Sequence, residues 1–185
     1  MNFTTDRLNI AEITVGDVAA IHRLNSYEQV AAFNTIGIPK SLAETEKLVH
    51  PVIMDQIHER RKLLGWVIRS RKSAEFIGQL GMHLAAPRFR MAEIHYAVVP
   101  EHWGQGYATE SVRAMIKFGF DTLGLHRIEA GVATGNERSI RVLEKCGMTR
   151  EGRKRKVLPI RGEWYDNYHY AILDEDLQKK AAIRL

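Results

Sequence analysis

The sequence is poor in residues that staple a chain or hold it in a membrane. Cys146 is the single cysteine among 185 residues, which excludes an internal disulfide and any multi-cysteine zinc site. No apolar run is long enough to cross a bilayer. The opening MNFTTDRLNI lacks the apolar core of a secretory leader, so a cytoplasmic protein without membrane contact is expected. No repeat, low-complexity tract or linker interrupts the chain, and residues 1–185 read as a single domain with room for a real core. Cys146 itself lies in a helical stretch, Val142-Leu143-Glu144-Lys145-Cys146, and reads as a buried structural thiol rather than a nucleophile.

Charge selects little. The net charge of +5 with eight histidines is compatible with an anionic ligand, an acidic partner or RNA. The densest basic run, Arg150 to Lys156, has no aromatic residue among Arg153-Lys154-Arg155-Lys156. A platform for stacking bases needs such residues, so the run reads as a solvated strand edge or loop and nucleic acid is not the expected partner.

Alternation predicts a first strand over Arg7–Ile13. A capping-box pattern at Thr14 opens a helix to Asn25, and residues 26–40 read as irregular. A second box at Ser41 opens a helix to about Arg61, with Leu48, Val52, Met54 and Ile57 as candidates for its inner face. Strands follow over 63–70, 76–84 and 91–99. A helix from about Gln105 to Leu123 ends near Gly124. A strand over 127–133 and a helix capped by Asn136 come next, then closing strands over 149–157 and 163–173 and a short helix after Asp174. Early strands followed by strand–helix–strand–helix–strand is a mixed α/β layout with parallel neighbours in its middle.

The most informative stretch is MAEIHYAVVPEHWGQGYATESV, residues 91–112. An apolar strand breaks at Pro100, a small-residue turn follows, and a helix starts. That arrangement aims free N–H groups and a helix dipole at one point, which suits a phosphorylated ligand. A nucleotide P-loop needs a lysine after its last glycine, and none is present. A dinucleotide fingerprint needs a third glycine where Thr109 stands. Coenzyme A is the third possibility, its pyrophosphate approached by backbone at Gly104, Gly106 and Ala108.

The stretch Trp103-Gly104-Gln105-Gly106-Tyr107-Ala108 resembles the coenzyme A motif [RQ]-x-x-G-x-[GA] of the GNAT superfamily, with Trp103 in place of the usual Arg or Gln. Its Trp-Gly-x-Gly-Tyr-Ala-Thr-Glu form resembles the Rim-like branch, whose members acetylate ribosomal-protein N-termini. Four further segments resemble that branch in order: Thr5-Asp6-Arg7-Leu8, Ala92-Glu93-Ile94-His95-Tyr96, the run from Asn136 to Met148, and Tyr165 to Ala171. The resemblance implies an α/β GNAT fold: a mixed, mostly antiparallel sheet of about six to seven strands, splayed between the fourth and fifth and flanked by helices. It implies an acetyl-CoA-dependent N-acetyltransferase acting by direct attack in a ternary complex, with acetyl-CoA as co-substrate and no metal. A non-catalytic coenzyme A- or RNA-binding regulatory module is the alternative.

The resemblance also assigns residues. Val98, Val99, Trp103, Gly104, Gln105, Gly106, Tyr107, Ala108, Thr109, Asn136 and Ser139 would hold the cofactor, with a backbone N–H near Val98 or Val99, aimed by a local bulge, on the thioester oxygen. Glu93 would be the base, acting through water. A carboxylate in mid-strand is costly unless solvated or paired, which independently marks it. Ser139 would assist the departing thiolate. His95, where the branch has glycine, is a second base, a substrate contact or a polar filler, and Tyr168 a candidate wall of the acceptor cleft. Residues 26–40 and 157–162 are the expected acceptor walls. The acceptor is a primary amine, a protein N-terminus, a polyamine and an antibiotic amine all being compatible, and a homodimer is allowed.

Overall fold

A computed structural model describes residues 1–177. Eight strands build one sheet in the order β1-β2-β3-β4-β5-β6-β8-β7. They are β1 (Phe3–Thr4), β2 (Leu8–Glu12), β3 (Leu63–Ser70), β4 (Phe76–Leu84), β5 (Met91–Val98), β6 (Arg127–Ala133), β7 (Thr149–Ile160) and β8 (Glu163–Leu173). The helices are α1 (Val18–Asn25), α2 (Glu28–Ala31), α3 (Leu42–Asp55), α4 (Tyr107–Asp121) and α5 (Glu137–Lys145). Residues 174–177 are helical, and the remainder of the expected C-terminal helix lies outside the described residues. The expected fold is found. The count of eight rather than seven comes from the two-residue β1.

Every strand pair is antiparallel except β5 with β6, between which α4 crosses. A parallel neighbour requires such a crossover. Period two gives each strand two apolar faces because helices cover both sides of the sheet. Ile94 and Val98 of β5, Ile128 and Val132 of β6 and Tyr170 of β8 pack with Val112, Met115 and Ile116 of α4 and Leu143 of α5. On the opposite face Val67, Phe76 and Val99 pack with Ile21 and Leu24 of α1 and Val49 of α3.

Local signals explain the ends. The Asp17 carboxylate accepts from the Thr14 N–H at 2.9 Å, closing the expected box, and Ser41 Oγ accepts from the Glu44 N–H at 3.2 Å. Helix α3 stops at Asp55, earlier than expected, because the Asp55 carboxylate accepts from the N–H groups of Lys62 and Leu63 at 2.6 and 2.7 Å and turns the chain into β3. Its inner stripe is Thr45, Val49 and Val52, at i, i+4 and i+7. Val52 packs onto Gly65, while Leu48, Met54 and Ile57 are exposed, the last by 75%. The segment 26–40 contains the short α2. Strand β7 continues to Ile160, because Arg161 and Gly162 (φ 51° and 83°) form a two-residue turn with both residues left-handed, the turn that matches strand twist.

Candidate active site

Strands β5 and β6 pair only at Met91–Arg127, Ala92–Ile128 and Glu93–Glu129, and beyond Glu93 the ladder stops. On its other side β5 stays paired with β4 as far as Val98, in unbroken register. The bulge expected in β5 is therefore absent; the irregularity lies across from it, where β4 shifts against β3 between Ile68 and Arg69. The Val99 N–H donates to the Ile77 carbonyl at 2.9 Å, so it is already committed to β4. Strand alternation then turns the N–H groups of Tyr96 and Val98 toward the gap that β6 has left. Of the two N–H groups expected to face a thioester, only that of Val98 has the direction.

The gap opens onto the glycine turn. Gly104 and Gly106 have φ of 76° and 84°, a region L-residues enter at a cost. Gly106 is also the N-cap of α4. The N–H groups of the first helical turn, from Tyr107 on, have no partner within the helix and point back at the turn. Arg7 braces it: Nη1 donates to the Gln105 carbonyl at 3.1 Å and the guanidinium lies 4.5 Å over the Tyr107 ring. An open groove of about 650 Å³ runs along α4 from Gly106 and Thr109, with Arg7, Arg113, Lys117 and Lys145 among its walls. The backbone cradle and this cationic rim fit an anionic ligand. Two predicted contacts are engaged with backbone carbonyls of the protein. The Trp103 indole donates to the Val98 carbonyl at 2.6 Å beneath Arg138, and the Gln105 amide donates to the Glu101 carbonyl at 2.9 Å.

Across the gap stands α5. Asn136 Oδ1 accepts from the Ser139 N–H at 3.1 Å, so this oxygen is spent on the cap. Ser139 Oγ lies 2.7 Å from the Tyr96 hydroxyl, which also donates to the Ser139 carbonyl at 3.1 Å. Burial raises the Tyr96 pKa and outweighs the serine contact, so the phenol stays protonated. Tyr96 was not singled out from the sequence. Its signal was parity: it alternates with Glu93 and His95 and points to the other side. Burial likewise pushes the Cys146 thiol up to about 11, and its Sγ rests 3.6 Å from the Thr109 carbonyl, as a structural thiol should.

Glu93 and His95 share the face that α1–α3 cover elsewhere, and both are solvent-exposed. Glu93 stands beside Glu129 in register. Glu129 accepts from Arg127 Nε at 2.6 Å and lies 3.4 Å from His169 Nε2, whereas Glu93 has no ion pair among the described residues. His95 keeps contact with solvent, but its ring lies over Gly81 and next to His83. That crowding, with His83 beside it, lowers its pKa to about 4. The two segments expected as acceptor walls meet each other: Arg161 at the β7–β8 turn pairs with Glu28 of α2 at 2.5 Å, and Phe33 of the loop after α2 lies against Gly135. Tyr168 does not belong to it. Its parity places it with Tyr170 toward α4 and α5, under Arg150 at 4.6 Å, and the β8 residues on the Glu93 face include Asn167, His169 and Ala171. Asn167 is buried, and its Oδ1 has no hydrogen-bond partner among the described residues.

The acetyltransferase (GNAT) domain family matches residues 7–149. The chain belongs to the GNAT acetyltransferases. The uncharacterised N-acetyltransferase YoaA of Bacillus subtilis (strain 168) is 34% identical over 91% of this chain and 94% of its own. The crystal structure of spermidine N-acetyltransferase from Vibrio cholerae in complex with CoA and spermine superposes with a TM-score of 0.83 at 25% identity, over 94% of this chain and 99% of that one. Mycobacterium smegmatis RimJ in complex with CoA-disulfide gives 0.82 at 26% identity, over 92% and 83%. As a GNAT enzyme the chain is an acyltransferase, and family membership supports acetyl-CoA-dependent acetylation of an amine. The branch resemblance read from the sequence agrees with the match to RimJ. No helix among the described residues is long and apolar enough to cross a membrane.

Proposed function

We propose that this GNAT enzyme acetylates a primary amine, with protein N-termini and polyamines as the acceptor classes to test, by direct attack within a ternary complex. The observation that carries this reading is the parting of β5 and β6 directly beyond Glu93. It leaves a carboxylate on one face of the sheet, a Val98 N–H turned toward the gap and a glycine-turn cradle at the far end of the same strand.

Acetyl-CoA supplies an acyl group activated as a thioester. The turn from Gly104 to Thr109 holds the pyrophosphate, and Val98 donates to the thioester oxygen, a position where negative charge develops. Glu93, beside a second carboxylate, attracts an ammonium group and takes its proton through water. The freed amine forms the C–N bond as the C–S bond breaks, and the surplus N–H proton of the new amide passes to the departing thiolate. Ser139, backed by Tyr96, donates to the departing sulfur. A thiol pKa of about 8.5 makes that help useful but not indispensable. One relative's structure carries spermine, which supports the polyamine class, and the Rim-like resemblance of the sequence supports the protein N-terminus.

Thiol release from acetyl-CoA is measured with spermidine and with peptides carrying free N-termini, beside thermal shifts with coenzyme A, NAD and ATP. Coenzyme A at about 100 times its Kd stabilises by about 2.7 kcal/mol. Turnover with one amine class and a shift with coenzyme A alone is the expected result. Tight coenzyme A binding with no turnover on any amine would support the regulatory-module alternative, and a shift with NAD alone would defeat both.

A further inference from the structure

Gly81 of β4 and His95 of β5 are register partners. A Cβ built on Gly81 would lie 2.0 Å from both Cε1 and Nε2 of His95 and 2.9 Å from Cδ2. The imidazole therefore lies across β4, in the volume that any other residue at 81 would fill. Strand side chains ordinarily stand away from the sheet, and this one reclines. His83, two residues along on the same face of β4, meets the ring edge-on, with centroids 5.3 Å apart and planes at 71°.

The direction of that recline matters because of what lies on the other side of β5. Since Glu93 pairs with Glu129, His95 stands level with Gly131 of β6, one step into the gap. His95 has withdrawn from this level, and Gly131 brings no side chain of its own, the Asn167 amide lying over it with Nδ2 2.9 Å from where a Cβ would stand. Ala97 and Ala133, one step further, are small. The recess of His95 thus leaves a window beyond the two carboxylates, bounded on the β6 side by the Asn167 amide, between the Glu93 face and the gap toward which Val98 and Tyr96 direct their N–H groups.

We propose that Gly81 is a positioning residue for acceptor access: it gives His95 a recess over β4, and the recessed ring leaves the window open for a primary ammonium group to pass from Glu93 to the acyl group. This rests on the proposed amine acetylation. A side chain at 81 turns the ring upright, over the window.

The test is a cycle of Gly81→Ala, His95→Ala and the double variant. Each is assayed with acetyl-CoA and spermidine or an N-terminal peptide, beside coenzyme A affinity, thermal melts and crystal structures with coenzyme A. In the His95 background Gly81→Ala is expected to lower kcat/KM by roughly 10- to 100-fold through misplacement at the site, with coenzyme A affinity unchanged and the ring displaced toward β6. In the His95→Ala background the same substitution is expected to have no effect on kcat/KM, whatever activity that background retains. If Gly81→Ala alone fails to fold, a double variant that folds with the activity of His95→Ala supports the pairing.

An equal loss in both backgrounds would overturn the proposal, as would a ring that stays over β4 in Gly81→Ala. Wild-type protein that binds coenzyme A but acetylates neither probe would instead fail the amine-acetylation reading and the access role with it, while the ring positions would still show whether the recess exists.

Discussion

Arg7 Nε donates to Glu110 Oε2 at 2.6 Å across 103 positions of sequence. The same carboxylate accepts from the Thr5 hydroxyl at 2.5 Å and the Arg7 N–H at 3.2 Å, while Arg7 Nη1 reaches the Gln105 carbonyl. Two segments that look independent in the sequence, Thr5-Asp6-Arg7-Leu8 and the Thr109-Glu110 that follows the glycine turn, are therefore one clamp. It fixes the first turn of α4, whose N–H groups form the cradle. Glu110→Gln is expected to weaken coenzyme A about fivefold, equivalent to ~1 kcal/mol, and to cost about 1–2 kcal/mol of stability, with little change in kcat. Isothermal titration and denaturant melts measure both. An unchanged Kd would separate the clamp from binding.

Glu93→Gln removes the only proposed proton acceptor and is expected to lower kcat by roughly 10²-fold or more, with coenzyme A affinity intact. Ser139→Ala should cost less, because the thiolate is a fair leaving group. Tyr96→Phe should resemble Ser139→Ala, and the double variant should be no worse than the poorer single, since the two hydroxyls are 2.7 Å apart and act together. Single-turnover rates read the order directly. A serine variant slower than Glu93→Gln would reverse the assignment of the decisive proton transfer.

Local chemistry made much of this site legible. The glycine turn announces itself because left-handed backbone at Gly104 and Gly106 excludes most other residues, and period two separates Glu93 and His95 from Ile94 and Tyr96 before any coordinates exist. Sequence alone falls short where register decides. Tyr168 and His169 are neighbours in sequence on opposite faces, and only the pairing Val132–Tyr168 settles which of them shares a face with Glu93. Val99 was expected to offer an N–H that the β4 ladder had already taken. The Gly81–His95 and Tyr96–Ser139 contacts join different elements, so no spacing within one segment reveals them. Helix α3 ends early for a similar reason: Asp55 is capped by N–H groups seven and eight residues ahead.

His95 gives the site a pH signature. Crowding by protein and the neighbouring His83 lower its pKa to about 4 in the folded state, against about 6.5 in an unfolded chain. As pH falls through that window the unfolded state takes up the proton first, so stability falls with it and levels off once the folded ring is protonated. His95→Gln is expected to flatten the decline between about pH 6.5 and pH 4. Imidazole resonances of the wild type should show His95 neutral at pH 6. A ring already half-protonated there would remove the effect.

Asp17 adds a slope of the same sign at more acid pH. Burial would push its carboxyl up, but hydrogen bonds from the Thr14 hydroxyl at 2.7 Å and N–H at 2.9 Å, together with Arg69 Nη2 at 2.6 Å, outweigh it and hold the pKa below the usual range. A depressed carboxylate stabilises the fold above its unfolded pKa of about 3.9, and that contribution is lost as pH falls through the folded value. Asp17→Asn is expected to cost about 2–3 kcal/mol at neutral pH, because it removes a charged acceptor and leaves Arg69 without its partner. The gap between wild type and variant should be constant above about pH 5 and close as the wild-type carboxyl protonates. Urea melts across this range measure it. A gap that persists unchanged at the acid end would mean that shape at the start of α1, rather than the charge of Asp17, holds the cap.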